Sequence, residues 1–285
     1  VKIKLLAYAK LNLFLEVLGK RSDGFHEIQS VLQTINLADK LVLKSSRNIR
    51  LKCNLSGLSN EDNLAFQAAY LLKEYYSFPG VEIELEKKIP CGAGLGGGSS
   101  DAAATLTGLN LLWNLGLTKQ ELMGMGARLG SDVPFFLEGG TCLVKGRGEV
   151  VTKLPALWGR ALLFIPSFSV LTRSVYAEFA LLNEPRQLDN FIKKLRRGSW
   201  PKFLSNQLEK VVFQRYPLVE KVKKAALAAG ADGSLMSGSG PVVFALFSRP
   251  QQLQAVKKAW KEFSGKVVEV VFVDKPMEVE KKVAS

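Results

Sequence analysis

Apolar and β-branched residues dominate three runs near the start of the chain, residues 2–8, 11–18 and 37–43, and each reads as a strand. Gly19-Lys20-Arg21-Ser22-Asp23-Gly24 interrupts the pattern and reads as a loop. The period then lengthens. Over residues 63–76, Leu64, Ala68, Leu71 and Leu72 share one face at helical spacing, and Pro79-Gly80 ends that helix. Val81-Glu82-Ile83-Glu84-Leu85 alternates as a half-buried strand does. A second helix is predicted over residues 99–115, where Ala102, Leu106, Leu109 and Trp113 form one face. Its other face is also largely apolar, which places this helix between layers. Thr118-x-x-Glu121 is a capping box, so a third helix starts there and runs to residue 129. Gly130-Ser131-Asp132-Val133-Pro134 reads as a tight turn, and residues 141–144 and 149–154 as strands around Gly146-Arg147-Gly148.

The pattern shifts after Pro155. The second half predicts a strand over 160–165, several helices, a strand near Leu235, a strand over 242–247, a helix over 250–263 and a strand over 267–273. No repeat or low-complexity linker separates the halves. A boundary near residue 155 divides the chain into units of residues 1–155 and 156–285, an α+β arrangement in which each unit has its own core.

Composition changes this picture little. The 285 residues are 47% apolar and 23% charged, ordinary globular usage that excludes a disordered chain. Cys53, Cys91 and Cys142 are scattered and form no C-x-x-C pair, which argues against a disulfide framework or zinc site and fits a reducing compartment. The longest uncharged run, residues 102–118, contains Thr105, Thr107, Asn110 and Asn114 and reads as a buried helix rather than a membrane span. Val1-Lys2-Ile3-Lys4 alternates like a strand and lacks a signal peptide's apolar stretch, so a cytoplasmic location is expected. The net charge of +13 favours anionic partners. Apart from Lys193, Lys194, Arg196 and Arg197 the basic residues are dispersed, as on a solvated face, so charge alone selects no partner.

The chemistry concentrates at Pro90-Cys91-Gly92-Ala93-Gly94-Leu95-Gly96-Gly97-Gly98-Ser99-Ser100-Asp101. Five glycines in seven positions let successive N–H groups turn toward one point. The following helix adds its unsatisfied first-turn amides and the positive end of its dipole. Phosphate is the natural occupant, with Ser99 and Ser100 as further donors or as aids to a metal. A Walker A loop would need a lysine after its glycines, which is missing here. Gly92, Gly94 and Gly97 match G-x-G-x-x-G, a weak signal alone, and the acidic residue a dinucleotide fold places roughly 20 positions later falls in helix. A protein-kinase loop would need H-R-D and D-F-G; the single histidine, His26, lies upstream.

This segment resembles the P-x-x-x-G-L-G-S/G-S-S signature of the GHMP kinases, a family named for galactokinase, homoserine, mevalonate and phosphomevalonate kinases. Ala9-Lys10-Leu11-Asn12-Leu13 is similar to the family's N-terminal motif, and Ser234-Leu235-Met236-Ser237-Gly238-Ser239-Gly240 to its C-terminal glycine-rich motif. Lys10-Leu11-Asn12-Leu13, Arg21-Ser22-Asp23-Gly24-Phe25-His26 and Gly130-Ser131-Asp132-Val133-Pro134-Phe135-Phe136 resemble one branch of it, whose substrate is an alcohol linked to cytidine diphosphate. The matches keep their order over most of the chain. Two positions depart from the branch: Phe25 stands where tyrosine is usual, and Gln207 in Asn206-Gln207-Leu208-Glu209 where aspartate is common.

The resemblance implies a two-domain kinase with its site in the cleft between a nucleotide-binding unit and a ferredoxin-like unit. It implies phosphorylation of the 2-hydroxyl of a methylerythritol unit by ATP, with Mg²⁺ as companion ion and metal ligands unassigned. Pro90, Gly92, Gly94, Leu95, Gly96, Gly97, Gly98, Ser99 and Ser100 would hold ATP, together with Asn63 if it reaches the adenine instead of capping its helix. Asn12 would contact substrate. Phe25 would stack on cytosine while His26 bonds its polar edge, although a lone histidine is more often structural. Thr172 and Tyr176, four apart on one helix face, would close the other side.

Two roles also have a reading from the residues. Asp132 sits in a turn with Gly130 before it and Pro134 after it, which can fix a carboxylate as general base; the alternative is an Asx turn or helix cap. Lys10 is a charge in the otherwise apolar stretch 7–15, where it can pair with Asp132 and stabilise negative charge; the alternative is an outward-facing strand lysine. Cys91 reads as a packing residue. No membrane or nucleic-acid partner is expected. The rival readings are a mevalonate or homoserine kinase, whose substrate has no base to stack, and a basic RNA-binding module, which would show salt-dependent RNA affinity without ATP turnover.

Overall fold

The computed structural model describes residues 2–179 and 187–283. The two apolar runs at the start join into one strand, β1 (Lys2–Lys20), paired antiparallel along its length with β2 (His26–Ser45). Register shifts at Tyr8/Ala9, Asn12/Phe14 and Val17/Gly19 let so long a strand bend without breaking its ladder. The expected loop therefore shrinks to a turn over residues 21–25, closed by the Arg21 N–H on the Phe25 carbonyl at 2.8 Å. The first half of β2 has no apolar alternation because both its faces are buried, with Ile28, Val31, Leu32 and Ile35 set among polar residues. Gln29, Ser30, Gln33 and Thr34 are buried there and bonded to Glu16, Phe14, Val273 and Gly140.

The first layer continues with β3 (Arg50–Cys53), α1 (Leu64–Tyr75), β4 (Val81–Glu86), α2 (Gly97–Leu112), α3 (Lys119–Leu129), α4 (Val133–Glu138), β5 (Thr141–Gly146) and β6 (Val150–Lys153). Asn63 caps α1, accepting the Ala65 N–H at 2.9 Å. Both halves of the Thr118–Glu121 capping box are present at α3. α2 is buried on most sides, as its all-round apolar pattern requires. Where a turn alone was expected after Gly130, the chain makes one turn and enters α4, whose residues 133–137 are buried; six residues are too few for a visible period.

The second layer contains β7 (Arg160–Pro166), α5 (Thr172–Glu178), α6 (Leu188–Arg196), β8 (Ser205–Asn206), α7 (Glu209–Arg215), α8 (Pro217–Ala228), β9 (Gly233–Met236), β10 (Val243–Leu246), α9 (Pro250–Trp260), β11 (Gly265–Val271) and β12 (Met277–Val283). Four of these strands form an antiparallel sheet in the order β11-β7-β10-β9, the ferredoxin-like β-α-β-β-α-β arrangement. The Trp260 indole N–H on the Val222 carbonyl, 2.9 Å, ties α9 to α8 on its covered face.

Two strands of this half cross into the first sheet. β8 pairs parallel with Phe14 and Leu15, and β12 pairs antiparallel with the start of β1. β1 is therefore shared by both layers, and the segment from Ala9 to Leu15 is buried throughout. Among the described residues no helix is long and apolar enough to cross a membrane.

Candidate active site

A cleft of 1340 Å³ opens where β1, the 21–25 turn, the glycine segment, α5 and the loop after β9 converge. It is the size of a cofactor pocket with room for a second small molecule. The glycine segment forms one wall. Gly92, Gly94 and Gly96 have φ of 61°, 75° and 73°, a left-handed sequence that side chains resist, and α2 begins at Gly97 with no side-chain cap. The carbonyls of Gly92, Gly94 and Leu95 accept from the Val170 N–H, the Ser237 hydroxyl and the Lys10 N–H, at 3.1, 3.0 and 3.0 Å. A trans peptide sets its N–H opposite its C=O, so the amides of Ala93, Leu95 and Gly96 point away from those partners. The amides of Gly97, Gly98 and Ser99 precede the first helical bond of α2, Ser100 N–H to Gly96 C=O at 3.0 Å. An uncapped helix end of this kind suits an anion.

Not every residue of the segment faces the cleft. Pro90, Gly92, Gly94, Gly96, Gly97, Gly98 and Ser99 line it. Leu95 and Ser100, expected with them, turn inward: Leu95 is fully buried in the core, and the Ser100 hydroxyl donates to the Tyr8 carbonyl at 2.7 Å. Their side chains brace the loop and do not line the cleft. Asn63 lines the cleft with its amide engaged, the oxygen in the α1 cap and the nitrogen on the Leu58 carbonyl at 2.8 Å.

Lys10 and Asp132 stand in the same cleft. The Lys10 ammonium is bonded to the Asn12 side-chain oxygen and lies 3.8 Å from Asp132 Oδ2, an ion-pair distance rather than a hydrogen bond. Burial holds its pKa below that of an ordinary lysine, and the Asp132 carboxylate opposes this without cancelling it. Asp132 precedes α4 but makes no side-chain cap, so its carboxylate is not consumed by the turn. The opposite layer closes over this pair. A Cβ on Gly238 would stand 3.2 Å from Lys10 Nζ and 3.1 Å from Asn12 Oδ1, so only a glycine brings the backbone this near. The Ser237 hydroxyl accepts the Asn12 N–H at 3.3 Å and donates to Gly94, so one side chain joins the N-terminal motif, the glycine segment and the C-terminal motif.

Phe25, His26, Thr172 and Tyr176 line the far end. His26 and Tyr176 meet with ring centroids 5.1 Å apart and planes 34° from parallel. The Phe25 ring lies under the Arg147 guanidinium, whose carbon is 4.9 Å from the ring centroid. Thr172 bonds the Ser239 hydroxyl at 2.8 Å. Burial and then the Lys20 charge lower the His26 pKa, while burial and then Asp132 raise that of the Tyr176 hydroxyl.

Several lining residues carried no readable signal. Lys87 bridges two buried carboxylates behind the glycine segment, Asp39 at 2.5 Å and Asp101 at 2.7 Å. Burial pushes Asp101 up to about 8, with Asp39 adding to the rise and Lys87 opposing it. A lysine just past a strand end and an aspartate near the start of a helix are ordinary in sequence; only the fold brings them together. Arg147 sits in a polar turn, where charge is expected anyway.

Comparison with known proteins agrees with this geometry. Residues 63–140 match the GHMP kinases N terminal domain, and residues 179–266 match the GHMP kinases C terminal region. A 4-diphosphocytidyl-2-C-methyl-D-erythritol kinase of Thermoanaerobacter pseudethanolicus is 40% identical over 284 residues, covering 97% of each chain. One of a Synechococcus species is 47% identical over 261 residues, covering 85% of this chain and 84% of that one. A crystal structure of 4-(cytidine 5'-diphospho)-2C-methyl-D-erythritol kinase superposes with a TM-score of 0.80 at 34% identity, covering 94% of this chain and 98% of that one. With both conserved regions matched, the relatives covered nearly end to end and the cleft built from the three signature segments, the chain belongs to the GHMP kinase family.

Proposed function

We propose that the protein transfers the γ-phosphoryl group of ATP to the 2-hydroxyl of 4-diphosphocytidyl-2-C-methyl-D-erythritol. The observation that carries this reading is the meeting, in one cleft, of an uncapped helix N-terminus, a buried Lys10 paired with the part-exposed Asp132 and the His26–Tyr176 aromatic end. The relatives that bear this name, at 40% and 47% identity, support the choice of alcohol.

The amides of the glycine segment hold the nucleotide's phosphates. The bond from the γ-phosphorus to its bridging oxygen breaks, leaving ADP, and a bond to the alcohol oxygen forms. Asp132 takes the hydroxyl proton as the loose transition state develops, when that proton becomes acidic enough for a carboxylate. Lys10 stabilises the negative charge gathering between donor and acceptor, with greater effect for being buried. The family implies Mg²⁺. An ion of that kind is carried on the phosphates and needs only one or two protein oxygens. The Ser99 hydroxyl, which lines the cleft in the first turn of α2, would supply one. Such an ion neutralises the β- and γ-oxygens.

ADP release should be measured with the cytidyl alcohol, mevalonate and homoserine in parallel, under Mg²⁺. Turnover with the cytidyl alcohol alone is the expected result; turnover with another alcohol only, or RNA binding without turnover, would overturn it. Tyr176→Ala should raise KM for the cytidyl alcohol about tenfold through lost stacking while leaving KM for ATP unchanged. The pH profile of kcat should fall on its alkaline side below the pH at which an ordinary lysine titrates, because Lys10 with a lowered pKa sheds its charge earlier as pH rises.

A further inference from the structure

Lys10 and Asn12 lie beneath the loop that follows β9, and that loop is held in turn by a segment the chemistry leaves unused. Asn206 in β8 is 5% exposed, and every polar group of its side chain is engaged. Its amide donates to the carbonyls of Met236, at 2.8 Å, and Gly238, at 2.7 Å, and its oxygen accepts the Leu208 N–H at 3.0 Å. Glu209 reinforces the same loop, accepting the Met236 N–H at 2.9 Å and the Lys223 ammonium at 2.6 Å. On its other side the segment is fixed to the strand that carries Lys10. β8 runs parallel beside Phe14 and Leu15, the Gln207 N–H donates to Leu15 at 3.1 Å, and the Gln207 side-chain oxygen accepts the Val17 N–H at 2.8 Å.

The segment 205–209 therefore sets the distance between β1 and the Gly238 backbone. Gly238 has a left-handed φ of 56° and lies so near the Lys10 ammonium that an added Cβ would stand 3.2 Å from it, and its carbonyl is one of the two Asn206 takes. From these contacts the geometry points to Asn206 as a positioning residue for Lys10, clamping the Gly238 backbone as the roof that keeps the ammonium aimed at Asp132. This inference rests on the phosphoryl-transfer reading above. Asparagine suits the position because one short side chain must donate twice and accept once. Aspartate has the same shape and still accepts the Leu208 N–H, but it turns a carboxylate on two carbonyls. Loss of the clamp lets the roof shift and water reach Lys10, and a misplacement of 1 Å is enough to cost about 100-fold in rate.

The test compares steady-state kinetics of wild type, Asn206→Asp and Gln207→Ala, with ATP and the alcohol that wild type phosphorylates, well below each Tm. Asn206→Asp should lose about 10- to 100-fold in kcat with both KM values within about threefold of wild type. Gln207→Ala cuts a bond of the same segment on the β1 side only and should stay within about twofold. If the aspartate variant does not fold, Asn206→Ala, which removes the same bonds without adding charge, is held to the same expectation. Unchanged kcat in a folded Asn206 variant, or equal losses in the Asn206 and Gln207 variants, would overturn the clamp. Should wild type phosphorylate none of the alcohols, it is the activity reading that fails, and the clamp is then judged by hydrogen exchange. The Ser237 and Gly240 amides, bonded at 2.9 Å to Val242 and Ser237, must then exchange at least about tenfold faster in the Asn206 variant and not in Gln207→Ala; equal exchange in the Asn206 variant and wild type refutes it.

Discussion

Asp132→Asn is expected to lower kcat about a thousandfold while the protein stays folded and KM for ATP changes little. The substitution keeps the shape of the side chain and removes its capacity to take the hydroxyl proton. It also withdraws the negative charge that raises the pKa of Lys10, so the ammonium is held less firmly in its charged form. The fold should tolerate the change, because the carboxylate makes no helix cap and is one-third exposed at its side chain, 33%. Stability is accordingly expected to move by no more than about 0.5 kcal/mol, as at ordinary partly exposed sites. Rapid-quench measurement of a single turnover, paired with a thermal melt, separates the two quantities. A folded variant that retained more than about a tenth of wild-type kcat would remove Asp132 from the role of base and leave positioning as the main source of rate.

Gly94→Ala should be as damaging by a different route. A Cβ there would stand 1.9 Å from the Ser237 carbonyl oxygen and 3.0 Å from its carbon, both backbone atoms with no rotamer to give way. The φ of 75° adds a left-handed strain of about 1–2 kcal/mol for any residue with a Cβ. Relief requires the two layers to part at the line where the Ser237 hydroxyl joins Gly94 to Asn12. We expect a Tm fall of several degrees, given about 2–4 °C per kcal/mol for a chain of this size, and loss of both ATP affinity and turnover. Gly116→Ala is the control, since a Cβ there meets nothing within 4 Å although φ is also positive, at 72°. It isolates the backbone strain from the clash. Similar damage in the two variants would show that strain, not the approach of the layers, explains the conserved-looking glycine pattern.

What could be read from the sequence was what leaves a short-range mark. The Asn63 and Thr118 caps, the alternation of residues 81–85 and the apolar runs of the second sheet each act within a few residues, and each reappears in the fold. The first half of β2 escaped because half of its buried side chains are polar and satisfied by distant partners, which breaks the hydrophobic period on two buried faces. α4 and β8 are too short to have a period at all. The site divided in the same way. Lys10 stood out as a charge in an apolar run, and its approach to Asp132 followed from the motifs. The inward turn of Leu95 and Ser100 did not, since a motif records which residues occur and not which way they face. The Asn206 bonds to Met236 and Gly238 span about thirty residues and leave no periodic trace.

The sharing of β1 between the two layers has a temporal side. Lys10 leaves the ribosome more than two hundred residues before residues 237–240, which form the roof above it, and the strand beside its N-terminal neighbours comes later still, from residues 277–283. Tyr8 finds its partner Glu278 across 270 positions. Contacts so distant in sequence can form only after most of the chain has emerged, and they make folding slow. The glycine segment waits as well, because its Gly92 and Gly94 carbonyls are held by Val170 and Ser237. Phosphoryl transfer thus waits until residues 237–240 and 277–283 have been made, and a nascent protein that lacks them has as yet no enclosed chamber in which to spend ATP.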